Sequence, residues 1–185
     1  MSLELVVGPM FAGKSTEAIR RVRQFQSDGI PYLVITSIRD TRYDPSGESL
    51  RSHSGGSVPA TALETLRTVL PTVPFAYAKY VVVEEAQFFP DLYEVVMEMV
   101  EKRGKHVVVF GLDGDSERRP FGQVLDLIPV ADTYAKLQAE CRLCGDGTAA
   151  IFTKRFSTVT TQVSVGGEES YKAVCRKHYL DPVRG

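Results

Sequence analysis

The sequence predicts an α/β protein built on a parallel sheet, followed by a small metal-binding domain. Nearly unbroken apolar runs recur along the first part of the chain, and segments with helical spacing lie between them. Strands with this pattern are typical of parallel sheets that are covered by helices on both faces. Beyond residue 140 the chain becomes more polar and contains all three of its cysteines, which predicts a second unit held by a metal ion.

Length and charge limit the functions that the chain can have. With 185 residues, 43% of them hydrophobic and 24% charged, it is long enough for one core and a small second unit. The net charge is −1, so the overall charge favours neither nucleic acid nor a membrane as a partner. No apolar run approaches the roughly 20 residues that span a bilayer, and the first residues lack the features of a signal peptide. Because an odd number of cysteines does not suit a disulfide framework, we expect a reduced, cytoplasmic protein.

The first two predicted strands flank the first predicted helix. Residues 3–7 form an apolar run typical of a buried strand, and residues 14–26 carry apolar side chains on one helical face. An Asp-Gly pair ends this helix, and residues 32–36 predict a second buried strand. Residues 37–58 are rich in Gly, Ser and Asp, which predicts a mobile surface loop of a length often used for lids or binding segments.

Five further segments complete the predicted sheet domain. Residues 61–70 suit a short helix, and residues 80–83 form an apolar strand that runs directly into two glutamates. Residues 91–103 have apolar positions at helical spacing and end at a glycine. An apolar strand at 106–112 and a last α/β stretch at 123–138 follow. We therefore expect this domain to pack as alternating strands and helices.

The predicted boundary between the two domains falls where the composition changes, giving domains at 1–138 and 139–185. Polar, strand-like segments such as 157–163 replace the apolar runs in the second domain. A unit of this size has little apolar surface to bury, so it needs another source of stability.

The glycine-rich segment between the first strand and the first helix has the phosphate-binding pattern G-x-x-x-x-G-K-S. Its residues are Gly8, Pro9, Met10, Phe11, Ala12, Gly13, Lys14 and Ser15. Glycines allow backbone N–H groups to approach phosphate oxygens, and the N-terminus of the following helix favours negative charge. Lys14 is placed to reach the β- and γ-phosphates, and the Ser15 hydroxyl to ligate Mg²⁺. Since a simple glycine turn does not explain the Lys-Ser pair, the pattern predicts a nucleotide site.

Two adjacent glutamates, Glu84 and Glu85, follow the strand at 80–83. In proteins with a phosphate-binding loop, a neighbouring strand ends in an acidic residue that holds the metal ion of the nucleotide. Glu84 is therefore predicted to hold Mg²⁺ through a water molecule, and Glu85 to accept a proton from an attacking hydroxyl. Taken alone, the pair is explained equally well as a solvated strand end, and the phosphate-binding loop favours the functional interpretation.

The second domain contains two motifs with metal-ligand spacing. Cys141 and Cys144 form a C-x-x-C motif, and Cys175 and His178 form a C-x-x-H motif. Three thiolates and one imidazole suit tetrahedral Zn²⁺, and four protein ligands leave no open position for catalysis. A structural zinc ion would stabilise a unit that is too small for a core of its own. Three free thiols that cluster by chance are one alternative, which the matched spacing disfavours. A redox-active cysteine pair is another, and the second motif speaks against it.

Several motifs occur in an order that resembles a known family. After the phosphate-binding loop they are Asp40-Thr41-Arg42-Tyr43, Glu84-Glu85-Ala86-Gln87-Phe88-Phe89, Leu112-Asp113-Gly114, Arg119-Pro120-Phe121-Gly122, Thr153-Lys154-Arg155, Val165-Gly166-Gly167 and Tyr171. Together with the two metal-binding motifs, they resemble the type II thymidine kinases, and the resemblance covers almost the whole chain. The phosphate-binding loop alone is generic, whereas the combination is specific to this family.

The resemblance implies a fold, an activity and a set of partners. The implied fold is a RecA-like parallel α/β domain with a small zinc domain, whose lasso loop closes over the nucleoside. The implied activity is transfer of the γ-phosphoryl group of ATP to the 5′-hydroxyl of thymidine or deoxyuridine, with Mg²⁺ at the nucleotide and a structural Zn²⁺. A homotetramer that is inhibited by dTTP is also implied.

Roles for individual residues follow from the same resemblance. Glu85 is implied as the general base and Glu84 as the acid associated with Mg²⁺. Besides the phosphate-binding loop, the residues implied to border the phosphates are Asp40, Thr41, Arg42, Glu84, Ala86 and Gln87. Those implied to line the base pocket are Met10, Phe88, Leu112, Phe121 and Thr153. The lasso residues, whose backbone would meet the thymine, are Gln162, Val163, Ser164, Val165 and Gly166. Tyr171 is implied to support the sugar.

The chain departs from the family pattern at three positions. Glu84 stands where the family usually has Asp, so the longer side chain changes how a metal-bound water is held. Ser116 stands where the family commonly has an aromatic residue that touches the nucleoside, and a serine cannot supply that stacking. His178 stands where many members have a fourth cysteine, which is a conservative exchange for zinc.

Two other functions compete with the kinase interpretation. A RecA-like, zinc-containing ATPase that binds nucleic acid would share the phosphate-binding loop, but the near-neutral charge and the lack of Trp do not favour it. A catalytically inactive relative that regulates by binding nucleotide is suggested only by the unusual Asp115-Ser116-Glu117 segment.

Overall fold

The computed structural model describes residues 1–40, 49–52, 55–156, 167 and 169–181. In this part of the chain the strands are β1 (Ser2–Val7), β2 (Tyr32–Ser37), β3 (Ser49–Arg51), β4 (Ser57–Pro59), β5 (Thr61–Leu63), β6 (Tyr80–Val83), β7 (His106–Gly111), β8 (Thr133–Lys136), β9 (Ala139–Glu140), β10 (Ala149–Ala150), β11 (Phe152–Arg155) and β12 (Tyr171–Val174). The α-helices are α1 (Lys14–Ser27), α2 (Val73–Tyr77), α3 (Leu92–Met97) and α4 (Arg176–Leu180). A π-helical turn (Glu98–Lys102) continues α3, and 3-10 turns lie at Leu66–Val69, Ala86–Phe88 and Leu125–Val130.

Six strands form a parallel sheet in the order β5-β2-β6-β7-β1-β8. This sheet confirms the predicted α/β class. Because all six strands run in the same direction, their carboxyl ends lie along one edge. Val7 at the end of β1 pairs with Gly111 at the end of β7, and Val83 at the end of β6 pairs with Val109. The phosphate-binding loop and the two glutamates therefore emerge at the same edge.

Different helices cover the two faces of the sheet. On one face β1, β6 and β7 pack against α3, in a cluster that includes Leu5, Val83, Val109 and Val96. On the other face alternate residues of the same strands pack against α1, in a cluster that includes Val6, Val82, Val108 and Ile19. Successive side chains of a strand point to opposite faces, so strands that are buried on both sides must be apolar throughout. This requirement explains the unbroken apolar runs of the sequence.

The loop predicted at 37–58 contains a hairpin. Strands β3 and β4 pair antiparallel, with Leu50 opposite Val58. Both side chains are buried in the cluster beneath α1. Two inward-facing apolar residues are too weak a pattern to predict strands in a stretch rich in Ser and Gly, and the hairpin forms because α1 offers a surface to cover.

The prediction of a helix at 61–70 is wrong. Its first residues form β5, and a single 3-10 turn follows it. Thr61 pairs with Ile35 of β2, so β5 extends the sheet at its edge. The carboxylate of Asp91 accepts hydrogen bonds from the backbone N–H groups of Leu66 and Arg67, at 3.0 and 2.9 Å, and thereby fixes the short turn. Tertiary pairing outweighs the local helical preference here.

The C-terminal part of the chain packs around a small core. Strands β9 and β10 pair antiparallel, as do β11 and β12. The buried residues of this core are Cys141, Ala150, Ala173, Val174 and Cys175. This part meets the phosphate-binding loop at Met10, whose N–H donates to the Thr153 hydroxyl at 2.9 Å. Among the described residues, no helix combines the length and the apolar composition that crossing a bilayer requires.

Candidate active site

The phosphate-binding loop is held tightly at both of its ends. A Cβ atom at Gly8 would lie 2.6 Å from the carbonyl oxygen of Leu137, so a side chain cannot be accommodated there. The Lys14 side chain is buried, and its ammonium donates hydrogen bonds to the carbonyl oxygens of Gly8 and Pro9, at 3.2 and 2.8 Å. The ammonium group therefore lies within the loop, where it can exchange backbone carbonyls for phosphate oxygens.

The carboxylate of Glu84 is bonded directly to the loop. The Ser15 hydroxyl donates to Glu84 Oε1 at 2.6 Å, and Glu84 is 1% exposed. Burial is the largest effect that raises the pKa of Glu84 to about 8, and the negative charge of Glu85 raises it further. The Ser15 hydrogen bond and the positive charge of Lys14 lower it by less. Two hard oxygen donors thus meet at one place, which is the ligand type that Mg²⁺ prefers.

The raised pKa of Glu84 is expected to make stability fall as pH rises. The folded protein keeps this proton up to about pH 8, whereas the unfolded chain loses it near its ordinary value of 4.5. Between these values the folded state binds more protons, so the free energy of unfolding decreases with pH, by at most about 1.4 kcal/mol per pH unit. Glu84→Gln should remove this contribution. Chemical denaturation of the original protein and of Glu84→Gln, without nucleotide and from pH 5 to 9, measures this contribution. If the free energy of unfolding depends on pH in the same way in the two proteins, Glu84 is not protonated in the folded state.

Glu85 is fixed in position by its backbone and by a neighbouring amide. Its φ of 52° and ψ of 41° lie in the left-handed region, which is uncommon for a residue with a side chain. The buried carboxylate accepts a hydrogen bond from the amide of Gln87. The amide oxygen of Gln87 accepts a bond from the N–H of Leu112 at 3.0 Å. Gln87 thus connects the carboxylate to the end of β7.

Sequence reasoning missed this connecting role of Gln87. The family resemblance implies only that Gln87 borders the phosphates, and a local pattern does not reveal which strand a side-chain amide will reach. The backbone of Gln87 is in turn covered by Gly122. A Cβ atom at Gly122 would lie 2.4 Å from the carbonyl oxygen of Gln87, and the φ of Gly122 is +58°. Conformation and space both require glycine at this position.

A cavity of about 860 Å³ opens between the sheet edge and the C-terminal part of the chain. It brings together many of the predicted site residues, which are Met10, Phe11, Ala12, Gly13, Lys14, Ser15, Asp40, Glu85, Leu112 and Tyr171. Lys14 and Glu85 therefore line one space. Thr41, Arg42 and the lasso residues 162–166 lie outside the described residues.

Other predicted residues support the cavity without lining it. Phe88 and Phe121 contact each other edge to face, with ring centroids 5.7 Å apart. Thr153 accepts the hydrogen bond from the N–H of Met10 and is buried. Three residues expected beside the phosphates are also buried and do not line the cavity, namely Glu84, Ala86 and Gln87. The structure thus separates the predicted residues that line the cavity from those that lie behind its wall.

Three charged residues of the cavity wall were not predicted from the sequence. They are Glu140, Arg142 and Lys172. Arg142 lies between the two ligands of the C-x-x-C motif, so its nearness to the cavity depends on how this motif packs against the loop. Sequence spacing alone does not contain that information. The C-x-x-C motif could have drawn attention to Arg142, because a residue between two metal ligands must lie close to Cys141.

The four predicted metal ligands form one cluster. The ligand atoms of Cys141, Cys144, Cys175 and His178 all lie within 4.8 Å of one another. The Nδ1 atom of His178 is 3.4, 3.3 and 3.5 Å from the three sulfur atoms, in the same order. Burial alone would raise the pKa of Cys141, but backbone N–H groups, above all that of Cys175, lower it to about 6. Three sulfurs and one imidazole that converge in this way fit tetrahedral Zn²⁺.

These contacts place the molecule among the P-loop nucleotide-binding proteins. A triphosphate with its metal ion needs the loop N–H groups, the lysine, the serine and an acidic strand end at one position. The loop follows β1 and Glu84 follows β6, and the Ser15–Glu84 hydrogen bond brings these groups together.

Comparison with known proteins narrows this class to one family. A family model described as thymidine kinase matches residues 1–179. Thymidine kinase a of Arabidopsis thaliana is 43% identical over 182 residues, which cover 97% of this chain and 75% of the plant protein. The thymidine kinase of rice is 42% identical, covering 97% of this chain and 66% of its own length, and that of monkeypox virus is 39% identical, covering 97% of both. The chain belongs to the thymidine kinase family.

Proposed function

We propose that the protein is a thymidine kinase, which transfers the γ-phosphoryl group of ATP to the 5′-hydroxyl of thymidine or deoxyuridine. Membership of the family and the names of its relatives support this reaction. The observation that carries the proposal is that Lys14 and Glu85 line the same cavity. A phosphate-binding lysine and a carboxylate base must face one space if a hydroxyl is to attack a γ-phosphate. The family membership favours this activity over a nucleic-acid-dependent ATPase.

In the proposed nucleotide site, the N–H groups of the phosphate-binding loop and the Lys14 ammonium bind the phosphate oxygens. The Ser15 hydroxyl and the Glu84 carboxylate would hold Mg²⁺, and Asp40, Thr41 and Arg42 would border the phosphates. Mg²⁺, when bound, neutralises charge on the phosphoryl oxygens. The buried Glu84 must give up its proton to act as a ligand, since a carboxylic acid is a poor donor to a cation.

In the proposed chemical step, Glu85 accepts the proton of the 5′-hydroxyl. The hydroxyl oxygen forms a bond to the γ-phosphorus while the bond from that phosphorus to the β,γ-bridging oxygen breaks, so that the nucleoside monophosphate and ADP are the products. Gln87 assists by holding the carboxylate, because its amide donates to Glu85 and its oxygen accepts from the backbone of Leu112. Orientation of this kind lowers the barrier by removing the need to reorganise the base.

The nucleoside is proposed to bind on the side of the cavity towards the C-terminal part. Met10 and Leu112 would contact the base, with Phe88, Phe121 and Thr153 behind them, and Tyr171 would support the sugar. The lasso residues 162–166 would close over the base and exclude water.

We also propose domains at 1–138 and 139–185, a structural Zn²⁺ on the four clustered ligands, a cytoplasmic homotetramer and inhibition by dTTP.

A nucleoside panel tests the proposed reaction. The protein is incubated with ATP, Mg²⁺ and one nucleoside at a time, chosen from thymidine, deoxyuridine, deoxycytidine, deoxyadenosine and uridine, and the monophosphates are identified by mass. We expect product from thymidine and deoxyuridine. If no pyrimidine deoxynucleoside is phosphorylated while ATP binds normally, the proposed activity is wrong.

Replacing Lys14 by methionine should weaken ATP binding and slow transfer. The variant keeps most of the volume of the buried side chain but removes the charge-assisted hydrogen bonds to phosphate, each of which contributes about 1.5–3 kcal/mol. We expect kcat/KM for ATP to fall by about 10- to 100-fold. Lys102→Met, at an exposed lysine that ends the π-helical turn after α3, is the matched control and should behave as the original protein. Equal kinetics for the two variants would exclude the assigned role of Lys14.

A further inference from the structure

The loop at residues 113–120 connects two parts of the candidate nucleoside pocket. It begins after Leu112, which lines the cavity, and it ends before Phe121, which packs against Phe88. A shift of this loop would therefore move Leu112 and Phe121 together. What holds the loop in place decides the width of the pocket at this end.

The loop is closed by bonds of its own. Gly114 and Pro120 form an antiparallel bridge, and the N–H of Asp115 donates to the carbonyl oxygen of Arg119 at 2.9 Å. The buried carboxylate of Asp115 accepts from the N–H groups of Glu117 and Arg119, at 2.8 and 2.9 Å. It also accepts from Arg119 Nε at 3.0 Å. These bonds fix the internal shape of the loop. An ion pair between Asp113 and Lys136 of β8, at 2.5 Å, connects the start of the loop to the sheet, and the position of residues 114–120 depends on further contacts.

Tyr179 and Phe152 join the loop to the C-terminal part of the chain. The Tyr179 hydroxyl donates to the carbonyl oxygen of Ser116 at 2.8 Å. The guanidinium carbon of Arg118 lies 4.4 Å from the ring centroid of Tyr179 and 5.6 Å from that of Phe152. Arg118 is itself an exposed residue, yet its backbone has a φ of 66°, a left-handed conformation that a side chain normally disfavours.

Tyr179 is in turn fixed by the metal-ligand cluster. It follows the ligand His178 on α4, and its N–H donates to the carbonyl oxygen of Cys175 at 2.9 Å. The ammonium of Lys154 donates to the carbonyl oxygens of His178 and Tyr179, at 2.9 and 3.1 Å. The ring of Tyr179 also packs against Phe152, with centroids 5.1 Å apart. A continuous set of contacts therefore runs from the metal ligands to the pocket loop.

We infer that Arg118 and Tyr179 are positioning residues for the nucleoside, which act by fixing the 113–120 loop to the metal-stabilised part of the chain. The inference rests on the proposed function, because it concerns the affinity of that same site. It also gives a physical role to the serine at position 116. The Ser116 side chain cannot stack on a nucleoside, while its backbone carbonyl is the group that Tyr179 holds. In this chain the pocket depends on where the loop is held.

Two variants separate the two contacts without disturbing the fold. Tyr179→Phe removes the hydroxyl donor and keeps the ring. Arg118→Gly removes the guanidinium and adopts a positive φ without strain, so it should not impair folding. Tyr77→Phe, at a tyrosine that is 77% exposed on α2, is the matched control. Arg118→Lys is the conservative variant, since it keeps the charge over the rings but not the planar group.

We expect KM for thymidine to rise about three- to tenfold in Tyr179→Phe and in Arg118→Gly, the range that a neutral hydrogen bond and a cation–π contact give. The zinc content and the KM for ATP should stay unchanged, and kcat should change by less than about twofold. Arg118→Lys should show a smaller rise in KM for thymidine than Arg118→Gly. Hydrogen exchange at the amides of residues 115–119 should become faster in the two variants and stay unchanged in Tyr77→Phe.

The outcomes distinguish this inference from the proposed function. Unchanged KM for thymidine in both variants, or an equal loss for thymidine and ATP, would overturn the positioning role. A protein that phosphorylates no nucleoside would instead refute the proposed function, and the nucleoside part of the inference with it. Hydrogen exchange would then still decide whether Arg118 and Tyr179 fix the loop, because unchanged exchange in the variants would exclude it.

Discussion

Glu85→Gln is expected to abolish phosphoryl transfer while leaving ATP binding intact. The amide keeps the size of the side chain but cannot accept a proton, and loss of a positioned general base costs about 10²- to 10⁴-fold in rate. ATP binding should persist, because the phosphate-binding loop and the Ser15–Glu84 pair are unchanged. Single-turnover kinetics with thymidine measures the chemical step, and equilibrium binding of ATP measures the nucleotide site.

The control for this variant is Glu101→Gln, at an exposed glutamate of the π-helical turn that follows α3. It makes the same chemical change away from the cavity and should keep full activity. Retention of most of the turnover in Glu85→Gln would exclude Glu85 as the base. Loss of ATP binding together with turnover would instead indicate that Glu85 acts in binding the nucleotide.

Removal of the metal ion is expected to unfold the C-terminal part of the chain and to stop catalysis. The small core of this part includes two of the cysteine ligands themselves, so little apolar burial remains without the ion. Structural zinc sites contribute apparent binding free energies of about 10–16 kcal/mol. Chelation should therefore make residues 139–181 sensitive to proteolysis. Activity should fall too, because Thr153 and Tyr171, which support and line the cavity, lie in this part.

Variants of one ligand can distinguish zinc binding from general damage to the core. His178→Ala should lose zinc, whereas His178→Cys should retain it, since thiolate and imidazole are both zinc ligands. Leu143→Ser, between the two ligands of the first motif and 42% exposed, should also retain the metal ion. The readouts are zinc content per chain and limited proteolysis. A metal-free protein that resists proteolysis as the loaded protein does would contradict the structural role.

The sheet core could be predicted because its signals are local and repeated. The apolar run of β1, the glycine-rich loop and the amphipathic α1 follow one another directly, and the strand β6 runs into Glu84 and Glu85. Parallel pairing then brings these segments to one edge without further information. The four metal ligands were predictable for a similar reason, since their spacing within each motif reflects their chemistry.

The errors lie where long-range contacts decide the structure. The strand β5 forms because β2 offers it an edge, and the hairpin of β3 and β4 forms because α1 needs cover. The bridge from Gln87 to Glu85 and Leu112 joins groups from two strands, so a single stretch of sequence cannot reveal it. Likewise, Arg142 and Lys172 reach the cavity wall only through the packing of the C-terminal part.

The contact between Gly122 and Gln87 limits how this family member can evolve. Even a methyl group at position 122 would lie 2.4 Å from the backbone oxygen of Gln87, whose side chain holds Glu85. Because the obstacle is main chain and the φ of Gly122 is positive, relief would require a shift of the backbone itself. In a saturation library selected for thymidine-dependent growth, codon 122 should therefore retain a single amino acid, while neighbouring codons at exposed positions such as Glu117 tolerate many.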